Sequence, residues 1–524
     1  MTDTVQPAVK RRESTILKNV TSNWAALVVN IAVSFFLAPF VVASLGNVYY
    51  GIWTLLNQFT GYLWLFDFGV RESVIKYVAQ YHATGEYDRI DATVNTSLFL
   101  YTPIAVLTLI GTAGMAALLP HIFNIPADSV FEARVALLLT GTSIAQSFVF
   151  NVFVGVLMGL RRYYLVSRMG IAFSLLRSAL IVLALKAGYG IVALGVIQLS
   201  LGTLMGGLVL WHALKFLPTY RPRLVRPARE ELTRVFNYSR FVVGNNIGEK
   251  LIFSTDALVI GALQPVSMLT FYAIAGSLIG YLRNLMQASA SVLNPETSAL
   301  AAERDDARLG TLFATATQAG MLVGLPVCIG LFILGTRFVS LWVGPEYGPL
   351  SGQVLMVLAT AHAFGLPHYC ISAVLYGLDR HRIIARWRGV EAIINLGLSI
   401  LFVYQFGIIG AALGTLCSHV FIAALVLPRA MARVIPLNLR DYYVTTYFRP
   451  LLAGVPFALA CVGVEALAPA SLLTFAALGV LALPVYALSV WVIALRPAQR
   501  ADARARLRRL MPRPRRRPVP SQPS

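Results

Sequence analysis

The sequence predicts an all-α integral membrane protein of about 14 transmembrane helices, built as two pseudo-symmetric six-helix lobes plus two C-terminal helices. Composition, apolar segment length and an internal repeat carry this prediction. Of 524 residues, 57% are hydrophobic and only 13% are charged, and the mean hydropathy is +0.70. A soluble domain carries about 25% charged residues, so this chain lacks the charge to cover several soluble domains. Yet 43 Lys and Arg against 23 Asp and Glu leave a net charge of +20. Such an excess suits nucleic acid, an anionic membrane or an anionic substrate, depending on where the charges sit.

A bilayer crossing takes about 20 apolar residues. Segments of that kind run over 23–44, 49–70, 92–119, 133–158, 169–187, 190–212, 238–262, 266–291, 309–334, 350–376, 387–405, 408–428, 449–467 and 472–494. Most are apolar on every face, as helices surrounded by lipid or by one another must be. Segments 238–262 and 266–291 carry more polar side chains. With an even number of crossings and a cytoplasmic N-terminus, 37 of the 43 basic residues fall in or at the edge of cytoplasmic segments. Arg134, Lys186 and Arg337 fall on the far side; Arg177, Lys250 and Arg283 lie inside spans. Trp24, Trp211, Trp387 and Trp491 near cytoplasmic helix ends, and Trp53 near an outer one, fit an interfacial aromatic belt. Lys10, Arg11 and Arg12 precede a full-length span with no small-residue cleavage site, so that span reads as an anchor that stays attached.

The two halves repeat. Val156-Leu157-Met158-Gly159-Leu160-Arg161-Arg162 matches Val374-Leu375-Tyr376-Gly377-Leu378-Asp379-Arg380 at five of seven positions, offset by 218. Arg168 falls on Arg386, Gly61-Tyr62-Leu63 on Gly280-Tyr281-Leu282, Arg89 on Arg308, Gly190-Ile191 on Gly407-Ile408 and Leu194-Gly195 on Leu413-Gly414, at offsets of 217 to 219. Six is even, so both copies start on the same side and are related by an axis near the membrane normal. The chain then divides into a cytoplasmic N-terminus (1–22), an N-lobe (23–212), a basic, proline-containing cytoplasmic linker (213–237) and a C-lobe (238–428). Two further helices with their preceding loop (429–494) and a basic cytoplasmic tail (495–524) follow. Two lobes around a central path suggest transport by alternating access.

Short motifs occur in order on this plan: Leu45-Gly46 with Tyr50-Gly51-Ile52-Trp53, then Asp67-Phe68-Gly69, then Gly85-Glu86-Tyr87-Asp88 in a basic loop, then Leu157, Gly159 and Arg162. Over about residues 15–494 the chain thereby resembles the multidrug/oligosaccharidyl-lipid/polysaccharide (MOP) exporter superfamily, and within it the polysaccharide-biosynthesis and O-antigen flippases. The resemblance implies a flippase that moves a polyprenyl-pyrophosphate-linked oligosaccharide across the bacterial inner membrane for surface polysaccharide biosynthesis. The expected partners are that lipid-linked oligosaccharide, membrane lipids, and a glycan polymerase with glycosyltransferases; the chain is expected to be a monomer with both termini cytoplasmic. The arginine-rich pattern expected early in the first two helices of lipid II flippases is missing, which weighs against that substrate.

Ionisable groups at bilayer depth are costly, so each is a site candidate. The seventh span holds Asn245, Asn246, Glu249, Lys250 and Asp256; Asn246, Glu249, Phe253 and Asp256 share one helical face. The eighth holds Arg283, Asn284 and Gln287, the second Asn57, Gln58 and Asp67, the first Asn30 and the fifth Arg177. The resemblance places helices 1, 2, 7 and 8 around the central cavity. A pyrophosphate needs cationic donors shielded from lipid, for which Lys250, Arg283 and Arg177 are the candidates. Asn30, Asn57, Gln58, Asn245, Asn246, Asn284 and Gln287 suit sugar hydroxyls. Asp67, Glu249 and Asp256 suit coupling to a proton or sodium gradient. Blander alternatives are a Glu249–Lys250 pair, an Asp256–Arg283 pair and an Asp67–Arg71 pair at i, i+4.

Other signals point away from different functions. Cys328, Cys370, Cys417 and Cys461 lie in apolar runs as small core residues, and the 7 histidines lack ligand spacing, so no metal or cofactor is expected. There is no nucleophile–base arrangement or phosphate loop, so an enzyme is not expected. The tail from Arg496 is arginine-rich without aromatics, which suits anionic lipid and not base stacking on nucleic acid. The alternatives carried forward are a MATE-type multidrug/cation antiporter, which favours an acidic cavity, and a lipid II flippase.

Overall fold

The computed structural model describes residues 5–67, 69–217, 220, 229, 232–233, 255–501 and 504, with side chains from Val28 onward. No strand occurs among the described residues. In chain order the helices of the first half are α1 (Val5–Leu63), α2 (Val70–Thr84), α3 (Tyr87–Ile122), α4 (Val130–Gly159), α5 (Tyr163–Lys186) and α6 (Ile191–Phe216). The second half holds α7 (255–263), α8 (Met268–Ser291), α9 (Leu293–Glu303), α10 (Asp306–Trp342), α11 (Gly348–Gly377), α12 (His381–Phe406) and α13 (Ile408–His419). α14 (Leu427–Met431), α15 (Leu439–Tyr443), α16 (Arg449–Ala466) and α17 (Leu472–Ser489) complete it.

α1 runs 59 residues, about 90 Å if straight, or about three hydrocarbon thicknesses. It does not stay straight. Gly46 sits at φ 71°, ψ 175°, a conformation open to glycine and strained for other residues. The partners on either side describe a climb and a return. Asn30 accepts from Ser174, halfway along α5, at 2.6 Å. Phe35 then offers its carbonyl to Trp342, at the end of α10. Beyond Gly46, Asn47 meets Thr270, and Tyr62 reaches Thr255 at 2.7 Å. The expected spans 23–44 and 49–70 are thus two arms of one helix, and the second arm closes earlier than expected, in a 3-10 turn at Trp64–Asp67.

Eleven helical segments among the described residues are long and apolar enough to cross a membrane, with Val28–Asp67 counted as one. Its two arms and the amphipathic α8 match three further expected crossings, and the expected span 238–262 is described only from residue 255, in α7. α2 and α9 are additional helices outside the expected spans. Two proline-bearing junctions widen the helix locally. Pro428 and Pro450 each follow a π-helical stretch, Val420–Val426 and Val444–Phe448. Proline lacks the N–H that an α-helical turn needs and clashes with the carbonyl four residues back, and a wider turn relieves both demands.

The repeat extends to the backbone. Leu160 N bonds Val156 O, Arg161 N bonds Met158 O and Arg162 N bonds Leu157 O; Leu378, Asp379 and Arg380 bond Val374, Tyr376 and Leu375 in the same pattern. Arg161 and Asp379 both adopt positive φ, 61° and 56°, as do Gly85 and Arg304, and Gly188 and Gly407. Each pair is separated by the sequence offset. The packing repeats too. Gly159 lies against Val78 and the Ile75 carbonyl, and Gly377 lies against Thr297 and the Asn294 carbonyl. A Cβ at either glycine would fall within 3.0 Å of these neighbours. Gly159→Val and Gly377→Val should therefore each cost about 1–3 kcal/mol. Thermal denaturation of the detergent-solubilised protein checks this, with Gly170→Val, in open space, as the unchanged control.

One apolar cluster belongs to the first half, around Val74, Val94, Phe148 and Val156, and one to the second, around Phe313, Leu366, Val374 and Ile422. A third, with Val42, Leu55, Leu137, Ile260, Leu269 and Leu355, spans both halves. α16 and α17 pack on α10 through Leu334, Phe457, Cys461 and Tyr486. Outward faces stay apolar, as at Leu459, Leu473 and Leu481, which suits lipid and not water. Cys417 is a correction: it is exposed while the other three cysteines are buried, because it lies on the outer face of α13.

Candidate transport cavity

A cavity of about 600 Å3 opens between the two halves. Both arms of α1, with α5 and α6, wall one side, and α7 and α8 the other. Among the described residues two cations line it, Arg177 of α5 and Arg283 of α8, and no Asp or Glu does. Asn57, Gln58, Gln198, Thr54 and Ser277 supply neutral hydrogen-bonding groups, and Trp53, Tyr50 and Tyr272 supply aromatic surface. Arg283 also borders a smaller pocket of about 170 Å3 with Gln287, Tyr369, Ser372 and Arg388.

The cavity is sealed at one end by contacts between the halves. The backbone of Asn124 pairs on both sides, its N–H with Gly261 O at 3.1 Å and its carbonyl with Val266 N at 3.2 Å. Its side chain donates to Ala262 O at 3.0 Å. Thr270 donates to Asn47 O at 2.7 Å, and Trp342 to Phe35 O at 3.0 Å, with the Trp342 ring stacked on Phe35. Gly51 lets α1 approach the Val266 carbonyl so closely that a Cβ would overlap it. The turns at 45–48, 123–126 and 264–267 are those that the basic-residue pattern assigns to one side, and here they meet. Arg134, one of the few basic residues expected there, donates to Ala116 O and Ala117 O at the end of α3.

The expected site residues divide as follows. Arg177, Arg283, Asn57 and Gln58 line the cavity together. Asn30 lies one α1 turn below the lining residue Ser34 and is held by Ser174. Gln287 borders the smaller pocket. Asn284 is exposed and lines neither. Lys250, Asn245, Asn246 and Glu249 lie outside the described residues. Asp67 does not pair with Arg71, as the i, i+4 spacing suggested; the turn at Gly69 changes the register. Asp67 accepts instead from the Tyr101 hydroxyl, and Arg71 pairs with Glu72 at 2.8 Å.

Asp256 does not pair with Arg283 either. It is buried behind the cavity wall, where one carboxylate oxygen accepts from Tyr272 (2.6 Å) and Thr415 (2.7 Å) and the other from Ser399 (3.0 Å). Asn395 donates to Thr415 at 3.0 Å. Tyr272 both lines the cavity and holds Asp256. Hydroxyl donors at this number satisfy a buried carboxylate without a cation.

The structure adds a buried polar seam that spacing by residue type did not single out. Glu391, Asn395 and Ser399 run down one face of α12, and Thr415 and His419 down one face of α13. His419 bonds Glu391 at 2.6 Å with both side chains essentially inaccessible. His362 lies against His419, its ring centroid 5.5 Å away, and His368 contacts Arg388. The legible signal was the four-residue spacing of polar residues on each of two otherwise apolar helices.

A helical membrane scaffold with two related halves around a central cavity has the architecture of a transporter. Residues 144–351 match the family model described as polysaccharide biosynthesis protein. Over 195 residues the chain is 25% identical to the probable low-salt glycan biosynthesis flippase Agl15 of Haloferax volcanii, a stretch that covers 37% of this chain and 41% of that relative. The chain thus spans less than half the length of that relative. The solved lipid II flippase MurJ, in an inward closed conformation, superposes with a TM-score of 0.66 at 15% identity, covering 91% of this chain and 98% of that one. An inward-facing multidrug resistance MATE family transporter of the MOP superfamily superposes with a TM-score of 0.61 at 16% identity, covering 78% and 98%. The chain is therefore a multi-pass membrane protein with the MOP fold, similar in sequence to polysaccharide-biosynthesis proteins.

Proposed function

We propose that the chain flips a polyprenyl-pyrophosphate-linked oligosaccharide across the bacterial inner membrane for surface polysaccharide biosynthesis. The observation that carries this reading is a cavity lined, among the described residues, by Arg177 and Arg283 and by no carboxylate, beside an apolar groove of about 410 Å3. The groove runs from Ile31 of α1 and Leu278 and Leu285 of α8 to Val327 and Phe338 of α10 and Phe475 of α17. A cationic chamber suits a pyrophosphate, its neutral Asn and Gln side chains suit sugars, and an apolar side groove suits a long hydrocarbon tail. The seal at the Asn124 end and the duplicated halves support alternating access by relative rocking of an N-lobe (23–212) and a C-lobe (238–428). The same reading places both termini in the cytoplasm, with the chain a monomer supplied by glycosyltransferases and serving a glycan polymerase.

A multidrug/cation antiporter would need a cavity attractive to cations, which the two lining arginines disfavour. The test is flipping in proteoliposomes, presented separately with a fluorescent polyprenyl-pyrophosphate oligosaccharide, with lipid II and with an organic cation dye. Flipping of the oligosaccharide supports the proposal; movement of the dye alone overturns it, and movement of lipid II alone reassigns the cargo.

We further assign ion coupling to Asp256, whose oxygen-rich surroundings lie one tyrosine from the cavity. Asp256→Asn keeps the shape and several hydrogen bonds but loses the ionisable group. Its expected result is normal membrane insertion with flipping that no longer responds to collapse of the proton or sodium gradient. A mutant that stays gradient-dependent removes Asp256 from coupling.

A further inference from the structure

A second cationic site lies away from the cavity, and nothing in the transport reading uses it. A groove of about 540 Å3 separates the start of α12 from the end of the α13–α14 helix. Arg380, Arg386, Arg429 and Arg433 line it, with Trp387 and Ile383. Among the described residues no ion pair involves any of the four. The nearby Asp379 pairs instead with His381, at 3.1 Å. Four guanidinium groups drawn into one concavity repel one another unless an anion sits among them.

The helices on either side show what kind of anion. From Arg386, Ile393 and Ile400 follow at seven-residue steps on the same face of α12, and both are exposed. From Arg429, Leu425 and Phe421 precede it at four-residue steps, and both are exposed. Each basic residue thus heads an apolar row that runs into the membrane-facing surface. Arg386 lies 5.5 Å from the Trp387 ring, and tryptophan marks the headgroup level of a bilayer. An ion with no tail would leave these rows unused. The groove also shares no lining residue with the cavity among the described residues, so it is a site separate from the cargo chamber.

We infer that this groove is a binding site for the phosphate headgroup of an anionic membrane phospholipid, held by Arg380, Arg386, Arg429 and Arg433, with its acyl chains along α12 and the α13–α14 helix. Planar guanidinium forks suit phosphate oxygens, and basic pockets at the cytoplasmic ends of membrane helices recognise such headgroups.

The test is lipid retention by the full-length protein in detergent, read by native mass spectrometry and by melting temperature. The additions are cardiolipin, phosphatidylglycerol, phosphatidylcholine, polyprenyl diphosphate and inorganic phosphate, each in turn. The expected result is retention of the anionic phospholipids, with a rise in melting temperature, and no effect of phosphatidylcholine or inorganic phosphate. Arg386→Gln with Arg429→Gln should weaken retention about thirtyfold, from about 1 kcal/mol per basic residue. Arg386→Lys with Arg429→Lys should retain lipid at an intermediate level and guards against a folding defect. Equal retention by wild type and the glutamine pair overturns the assignment. An equal response to inorganic phosphate makes this a soluble-anion site, and displacement by polyprenyl diphosphate alone makes it a cargo dock; either result overturns the proposal.

Discussion

Arg283→Ala should lower flipping of the lipid-linked oligosaccharide about ten- to hundredfold, and the double variant Arg177→Ala with Arg283→Ala should abolish it. Each arginine can give charge-assisted hydrogen bonds to a diphosphate, worth about 1.5–3 kcal/mol apiece. Membrane insertion and melting temperature of each variant, matched to wild type, separate a loss of substrate binding from a folding defect. Arg283→Lys keeps the charge and loses the planar fork, and should fall between wild type and alanine. Lys250→Ala is the companion variant for the described cations. Rates measured in proteoliposomes at matched protein amounts check the series. Full activity of the double alanine variant would remove the pyrophosphate role from both residues.

The second large effect is expected at the seal. A Cβ on Gly51 would overlap the Val266 carbonyl oxygen, which belongs to backbone and cannot swing away. Gly51→Val should therefore hold α1 off the 264–267 turn, at a cost to the sealed state of about 1–3 kcal/mol. A shift of that size changes a two-state balance by about five- to 150-fold. The readout is labelling of a single cysteine at Ala273, a partly exposed residue of the cavity wall, by a membrane-impermeant thiol reagent added from the Asn124 side, in a background without native cysteines. Labelling should rise sharply in Gly51→Val. Unchanged labelling would mean that the seal does not rest on this contact.

The spans were legible because lipid imposes length and uniform apolarity, and the repeat was legible because Gly159 and Gly377 sit where backbone meets backbone. The ends of helices were less legible. α3 and α10 extend past their apolar runs, and α2 and α9 lie outside them, because helix formation does not stop where hydropathy does. Arg177, Arg283, Asn57 and Gln58 were found by their cost at bilayer depth. Asp67 and Asp256 were found by the same cost, but not their partners: Tyr101, Tyr272, Ser399 and Thr415 are distant in sequence, and hydroxyls at helix packing surfaces carry no spacing signal. The Glu391–His419 pair was hidden for the related reason that its two members lie on different helices, each among apolar neighbours.

The three positive-φ pairs, Gly85 with Arg304, Arg161 with Asp379 and Gly188 with Gly407, have a consequence for directionality. A duplication that keeps both copies pointing the same way maps left onto right and never top onto bottom. An inverted duplication would make the two resting orientations of a transporter mirror each other in energy. On the proposed alternating-access reading, no symmetry operation turns the sealed face into the open one, so the two orientations have no reason to be isoenergetic. The bias between them is written in non-duplicated chemistry, such as the two backbone bonds of Asn124, and a few substitutions there are enough to retune which way the empty molecule faces at rest.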